Sequence, residues 1–528
     1  MEERVYLRAN VIAEPLVNDW HAWSYLIPAH TAAMYMANWH LKIMESFSSA
    51  PQVHVSALKR PEMVGGPFMD CQPNRTPAVN ELIRRLKKEQ EPMLRLASAI
   101  KDLDQKLLRE AAGYSLESAY QEVPEILRGY VELVYDLNNQ PSVRFLEGLL
   151  YNSPFYDPSL QGIELSLSNG DYRPFVFSTP RLYEEQRLRI NLPFNHQGID
   201  ELFRMKQEAK PLAEIMEILG VREDGKELFS TFFTQQAPQT SVKYSGEGVR
   251  MRYFGHACLL FETKSVSVLC DPIISYQNDS EIFRYVYSDL PEVIDYVLIT
   301  HNHQDHCMFE TLLQLRHKIK TLIIPKNAGG SLVDPSLKLI LKSIGFNQVY
   351  EIEEMETLNI EGGSITGLPF LGEHADLIIR AKIAYFVRLN DQGIICAADS
   401  NNIEPMLYEH IARCFPNITA LFLGMECVGG PLSWLYGPLL TGSISRSHDQ
   451  SRRFSGSNFV KAIDLVERLQ PKQVYVYAMG QEPWLSFLTS INYTEESPQI
   501  IESDKLINEC NRRGLISERL LYHREMIM

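Results

Sequence analysis

The sequence predicts an α+β protein in which a C-terminal αββα sandwich follows a helix-rich, mixed N-terminal domain. Three observations predict it. Residues 30–48 and 78–111 alternate apolar and charged positions at helical spacing, with Leu82, Ile83, Leu86, Met93, Leu96, Ile100 and Leu103 recurring every three or four positions. From Val249 onward, short apolar strands with turn signals alternate with helices, as in a layered sandwich. Between the two textures lies a polar stretch, Gln235–Thr240 and then Ser245–Gly248, that reads as a linker. The expected domains are therefore 1–240 and 249–528.

Bulk properties narrow the class. An apolar content of 45% is ordinary for a globular protein. The 51 basic and 66 acidic residues give a formal net charge of −15, which opposes binding to nucleic acid. No apolar run reaches the roughly 18 residues of a spanning helix, and Glu2, Glu3 and Arg4 open the chain without an apolar signal core. Eight scattered cysteines form no CxxC pair and read as reduced core residues. The expectation is a cytoplasmic protein with neither membrane nor nucleic-acid partners.

In the N-terminal half, residues 114–137 read as a further amphipathic helix, while Phe175–Phe177 and Ile190–Leu192 read as extended. The aromatics Trp20, Trp23, Tyr25, Tyr35 and Trp39 read as core, with a pocket lining or an oligomer interface as the alternative. His21, His30, His40 and His54 show no ligand-like grouping. In the C-terminal half, strands are expected at 250–254, 259–261, 266–270, 296–300, 321–324 and 474–477, with helices at about 308–316 and 336–343 and near 501–512.

The chemistry concentrates in His301-Asn302-His303-Gln304-Asp305-His306, directly after the apolar run Tyr296–Thr300. Three imidazoles and a carboxylate at the end of a buried strand can serve two metals, His301 and His303 one of them, Asp305 and His306 the other. In order along the chain stand Asp271 after an early strand, this HxHxDH cluster, Glu373-His374, and Asp399 after Ile394–Ala398. That succession resembles the metallo-β-lactamase superfamily over residues 249 to about 480. The resemblance implies that Asp399 bridges two metals and that Asp271 props the histidine loop from behind.

Two departures from the hydrolytic members matter. Hydrolases supply a histidine where this chain offers both Glu373 and His374, and they close the second metal with a histidine where this chain reads Tyr477-Ala478-Met479-Gly480. If Glu373 ligates, the set His301, His303, His306, Asp305, Glu373 and Asp399 is oxygen-rich and suits iron or manganese; if His374 ligates, the site becomes zinc-like. Residue types alone leave both assignments open.

The whole chain is similar to the di-iron β-hydroxylases of the chloramphenicol-pathway type. The stretches that carry this are Trp20–Leu26, Leu298–His306, Leu368–His374, Ala397–Ser400, Gly424–Glu426 and Tyr475–Gly480. The resemblance implies two irons held by His301, His303, Asp305, His306, Glu373 and Asp399, with no final histidine. It implies O2-dependent β-hydroxylation of an aryl amino acid held as a thioester on the phosphopantetheine arm of a non-ribosomal peptide synthetase carrier domain, in antibiotic biosynthesis. It also implies a homodimer built through the N-terminal domain, and an external reductase, since no flavin or nicotinamide fingerprint is present.

Position suggests Asp271 as the orienting group of a cluster histidine and Glu426 as a gating or proton-handling carboxylate, with His256 a structural imidazole. The Gly/Ser-rich stretch 424–458 has no clear element; its Trp434 and Tyr436 could meet an aryl side chain, and Arg452 and Arg453, with Arg446 and His448, an acidic carrier. Two other classes remain: a dinuclear zinc hydrolase of an ester, lactone or phosphodiester, which metal analysis separates, and a non-catalytic docking protein, which requires Glu373→Ala and His301→Ala to behave as wild type.

Overall fold

A computed structural model describes residues 4–528. Two seven-stranded sheets form the C-terminal half. The first runs, edge to edge, Val349–Ile352, Ile319–Pro325, Ile294–Leu298, Ser267–Cys270, Cys258–Glu262, Arg250–Gly255 and Arg524–Ile527. The second runs Thr357–Ile360, Gly363–Leu368, Ala384–Leu389, Gln392–Cys396, Ile418–Gly424, Gln473–Tyr477 and Ile516–Arg519.

Alternation of side chains across each strand builds three layers of core. In Gln392–Cys396, Ile394 and Cys396 face the other sheet, while Ile395 faces the helices Pro405–Cys414, Phe459–Leu469 and Pro498–Arg512. Between the sheets, Tyr253, Phe261, Val268 and Leu298 meet Tyr385, Val387, Phe422 and Tyr477. Helices outside and sheets inside make the expected αββα sandwich.

The outer face of the first sheet shares one core with the N-terminal half. Leu260, Leu269, Val297 and Leu322 pack in the same cluster as Val11, Leu165, Phe203 and Phe229. There, Val11–Val17 and Gln161–Leu167 are the central strands of a four-stranded antiparallel sheet. The helices Ala29–Tyr35, Leu41–Ser49, Thr76–Glu89 and Glu91–Glu110 share a second core with Trp20, Trp23 and Tyr25. Among described residues no helix is long and apolar enough to cross a membrane.

Several expectations are corrected. The run 78–111 is two helices broken at Gln90, because Pro92 lacks an N–H and fits only the first turn of the second helix. No helix spans 114–137: Pro124 and the left-handed Gly129 interrupt it, leaving two 3-10 turns and the strand Val131–Tyr135. Phe175–Phe177 is not a strand, and of the cysteines Cys414 is exposed rather than core. The stretch 424–458 is not an open loop. It carries the short helices Leu432–Leu435 and Arg446–Ser451, and Leu432, Tyr436 and Leu439 are buried against the aromatic core of Trp20, Trp23 and Tyr25.

Candidate metal centre

Parallel strands Ser267–Cys270, Ile294–Leu298, Gln392–Cys396, Ile418–Gly424 and Gln473–Tyr477 end at one rim of the sandwich, and the loops leaving them carry Asp271, the histidine cluster, Asp399, Glu426 and Ala478. The backbone is forced at these exits. His256, Asp271, Glu373, Ala398 and Ala478 all take left-handed conformations without being glycine, the kind of strain that collects at functional sites. Gly424 shows how tightly the rim closes: a β-carbon there would lie 2.8 Å from Asp399 Oδ1 and from the Ala398 carbonyl.

The polar side chains converge in two adjoining groups. His303 Nδ1 is 3.1 Å from Glu373 Oε1, His301 Nε2 is 3.9 Å from Glu373 Oε2, and His374 Nδ1 is 2.9 Å from the same oxygen. Beside them, His256 Nε2 is 3.2 Å from Asp305 Oδ2 and 3.3 Å from His306 Nε2. Asp399 sits at the seam, its Oδ2 3.1 Å from His306 Nε2 and 3.8 Å from His301 Nε2. His301 Nε2, Glu373 Oε2 and Asp399 Oδ1 are buried without a hydrogen-bond partner.

Outer partners fix the inner ones. Asp271 Oδ2 lies 2.8 Å from His306 Nδ1, and the same carboxylate accepts from Thr300 N at 2.7 Å and Thr300 Oγ1 at 2.6 Å. Tyr436 OH is 2.8 Å from His303 Nε2. From the N-terminal half, Ser24 Oγ donates to the Asn302 carbonyl at 2.9 Å, so the Trp23-Ser24-Tyr25 segment braces the histidine loop. Replacing Asp271 by alanine is expected to weaken metal binding by about 10- to 100-fold, read by metal titration of the purified protein.

Charge explains why cations belong here. Burial pushes Asp399 above the usual carboxylate range and Glu373 and Asp305 add to it, against the pull of His306. Burial acts upward on Glu373 too, but His303 and His374 outweigh it and hold it at about 2. Burial alone would lower His306; Asp399, Asp271 and Asp305 hold it well above its ordinary value. Three carboxylates and three imidazoles grouped within ligand reach, with His301 Nε2, Glu373 Oε2 and Asp399 Oδ1 orphaned and more oxygen than a zinc site uses, fit two iron ions.

A chamber of about 250 Å³ opens over this group, lined by His256, His303, Gln304, Asp305, Glu373 and Asp399 on one side and by Phe177, Trp434, Phe454, Leu488 and Ile491 on the other. Trp434 thus lines the chamber, whereas Tyr436 is fully buried and faces His303 instead. Arg452 and Arg453 are half-buried, their guanidiniums turned to the Ala375 and Gly429 carbonyls. Glu426 lines the chamber, with Oε1 held by Gln499 Nε2 at 2.6 Å and Oε2 unpartnered.

His256 joins the site contrary to its reading as structural, since the turn after Gly255 folds against the histidine loop. His21 is likewise not isolated, its Nδ1 lying 2.8 Å from Glu14 Oε1.

Fold and site together define a dinuclear metalloprotein of metallo-β-lactamase architecture with a carboxylate-rich centre. Residues 6–238 match the family model described as the diiron non-heme beta-hydroxylase N-terminal domain, and residues 250–394 that of the beta-lactamase superfamily domain. The chain is 37% identical over 532 residues, 99% of either sequence, to the 4-amino-L-phenylalanyl-[CmlP-peptidyl-carrier-protein] 3-hydroxylase of Streptomyces venezuelae. It superposes with a TM-score of 0.94, at 36% identity and full coverage of both chains, on the crystal structure of CmlA, a diiron beta-hydroxylase from the same organism. A shorter similarity, 32% over 127 residues, covers 24% of this chain and half of the UPF0173 protein PYRAB01190 of Pyrococcus abyssi. This chain belongs to the diiron non-haem β-hydroxylase family.

Proposed function

We propose that this protein hydroxylates the β-carbon of an aryl amino acid carried as a thioester on a peptidyl carrier domain. The reading assigns His301, His303 and Glu373 to one iron, Asp305 and His306 to the other, and Asp399 to both. When bound, the irons supply the oxidising power that couples dioxygen and electrons from an external donor to C–H hydroxylation. The observation that carries this reading is Glu373 beside His303 and His301, a carboxylate where hydrolytic relatives of the fold use an imidazole.

The chain's own residues do the rest. Asp271 and Tyr436 hold the rings of His306 and His303 in place. The aromatic wall of Phe177, Trp434 and Phe454 excludes water and gives an aryl side chain an apolar seat. Arg446 and His448 are exposed beside the half-buried Arg452 and Arg453, and this basic surface suits an acidic carrier domain. A homodimer built through the N-terminal domain belongs to the same reading, and the mass of the protein in solution tests it.

Glu426 is the carboxyl suited to holding a proton near the reacting carbon. Burial pushes it up to about 8, the Gln499 hydrogen bond opposing and Asp399 adding to the shift. The unfolded chain ionises this carboxyl near its ordinary value of 4.5, so between 4.5 and about 8 the folded protein holds a proton that the unfolded chain has lost. Stability of the metal-free protein is expected to fall across that window as pH rises. Glu426→Gln removes this component, on the order of a few kcal/mol, measurable as flatter urea midpoints between the two pH values.

The function is tested by mixing the reduced, iron-loaded protein with dioxygen and carrier domains bearing different amino acids. A mass gain of one oxygen atom on a carrier-bound aryl amino acid is expected. Absence of product from every aryl-loaded carrier would overturn the reading.

A further inference from the structure

Gln304 lies in the chain between His303 and Asp305 and is one of the residues lining the chamber over both metal groups. The residue is only 5% exposed, yet neither its Nε2 nor its Oε1 has a hydrogen-bond partner. A buried carboxamide with both ends idle is costly, and it offers two donors beside an acceptor in one plane. Among the described residues no lysine or arginine lines the chamber. A thioester carbonyl there needs only an N–H donor.

We propose that Gln304 is a positioning residue for the aminoacyl head of the substrate, its Nε2–H donating to the thioester carbonyl oxygen and its Oε1 accepting from the α-amine. The inference rests on the function proposed above and deepens it. The β-carbon is two bonds from the carbonyl carbon and two from the amine nitrogen. Anchoring both groups at one amide in front of the metal groups therefore leaves Cβ little freedom, while the aryl ring points into the wall of Phe177, Trp434 and Phe454.

Binding tests this without turnover. The probes are a carrier domain bearing an aryl aminoacyl group through a stable amide in place of the thioester, and the same carrier with its pantetheine thiol free. Calorimetry on the iron-loaded wild type is expected to show tighter binding of the loaded carrier, on the order of 10- to 100-fold, and Gln304→Leu is expected to erase the difference. Binding of the unloaded carrier and the iron content stay as in wild type. Gln304→Glu keeps the volume and the acceptor and loses the donors, and it is expected to retain only part of the difference. Equal binding of the two carriers by wild type overturns the proposal. So does a Gln304→Leu or Gln304→Glu protein that discriminates like wild type, or one that loses iron or weakens both carriers alike. Discrimination without hydroxylation would instead sink the functional reading and leave this one standing.

Discussion

Asp399→Ala is expected to lower the iron content from two per chain to one or fewer and to cut hydroxylation by more than about a thousandfold, since losing only an outer partner of a ligand costs about 10- to 100-fold. Asp399 is the one carboxylate within reach of both halves of the centre, 3.1 Å from His306 Nε2 and 3.8 Å from His301 Nε2. Its Oδ1 has no partner within the protein. Without it, the two halves lose their common ligand. The metal-free variant should fold as well as wild type, because the surrounding backbone is held by other groups: Tyr477 OH accepts from Ala398 N and the Ala398 carbonyl accepts from Gly424 N. Iron analysis together with thermal melting of the apoprotein checks both halves. Two irons retained in Asp399→Ala would remove the bridging assignment.

What could be read from the sequence followed chain proximity and order. His301, His303, Asp305 and His306 stand within six residues, behind a strand whose apolar run is unmistakable, so both the site and its rim were legible. Glu373 and Asp399 were legible as links in an ordered series. The chamber was not: Phe177 stands more than 250 residues before Trp434, Phe454 and Leu488, which themselves come from three separate segments, and nothing local marks them as one wall. His256 is a lone imidazole in the sequence and becomes a neighbour of Asp305 only because the first sheet places its turn against the histidine loop. Tyr436 read as a substrate contact because an aromatic in a Gly/Ser-rich loop has no visible core. Packing on the N-terminal aromatics gives it one, and turns its hydroxyl to His303.

Glu310→Ala is expected to destabilise the protein by about 3–5 kcal/mol, the cost of leaving a buried charge unpaired. Glu310 sits in the helix Phe309–Leu315, directly after the histidine loop. It accepts from Arg173 at 2.9 and 2.7 Å and from Tyr276 OH at 2.9 Å. Arg173 also reaches Glu14 Oε2 at 3.1 Å, on the N-terminal strand Val11–Val17, and Arg181 meets Glu14 Oε1 at 2.7 Å. Two guanidiniums and two carboxylates thus balance in a water-poor seam between the N-terminal sheet and the helix behind the metals; the two arginines leave no place for a cation beside Glu14, His21 and Glu310. Removing one acid leaves an excess positive charge there. Burial works against an ionised Glu14, but Arg181 and Arg173 overcome it and keep its carboxyl well below the ordinary range. The stabilisation from Glu14 is therefore complete at neutral pH and disappears only as acid brings the pH down through that depressed value. Replacing Arg173 and Glu310 together by methionine removes the charges in pairs and should recover most of the loss. Urea midpoints of the single and double variants measure the coupling. A Glu310→Ala midpoint equal to wild type would mean that the seam is solvated and holds the two halves together by its apolar contacts alone.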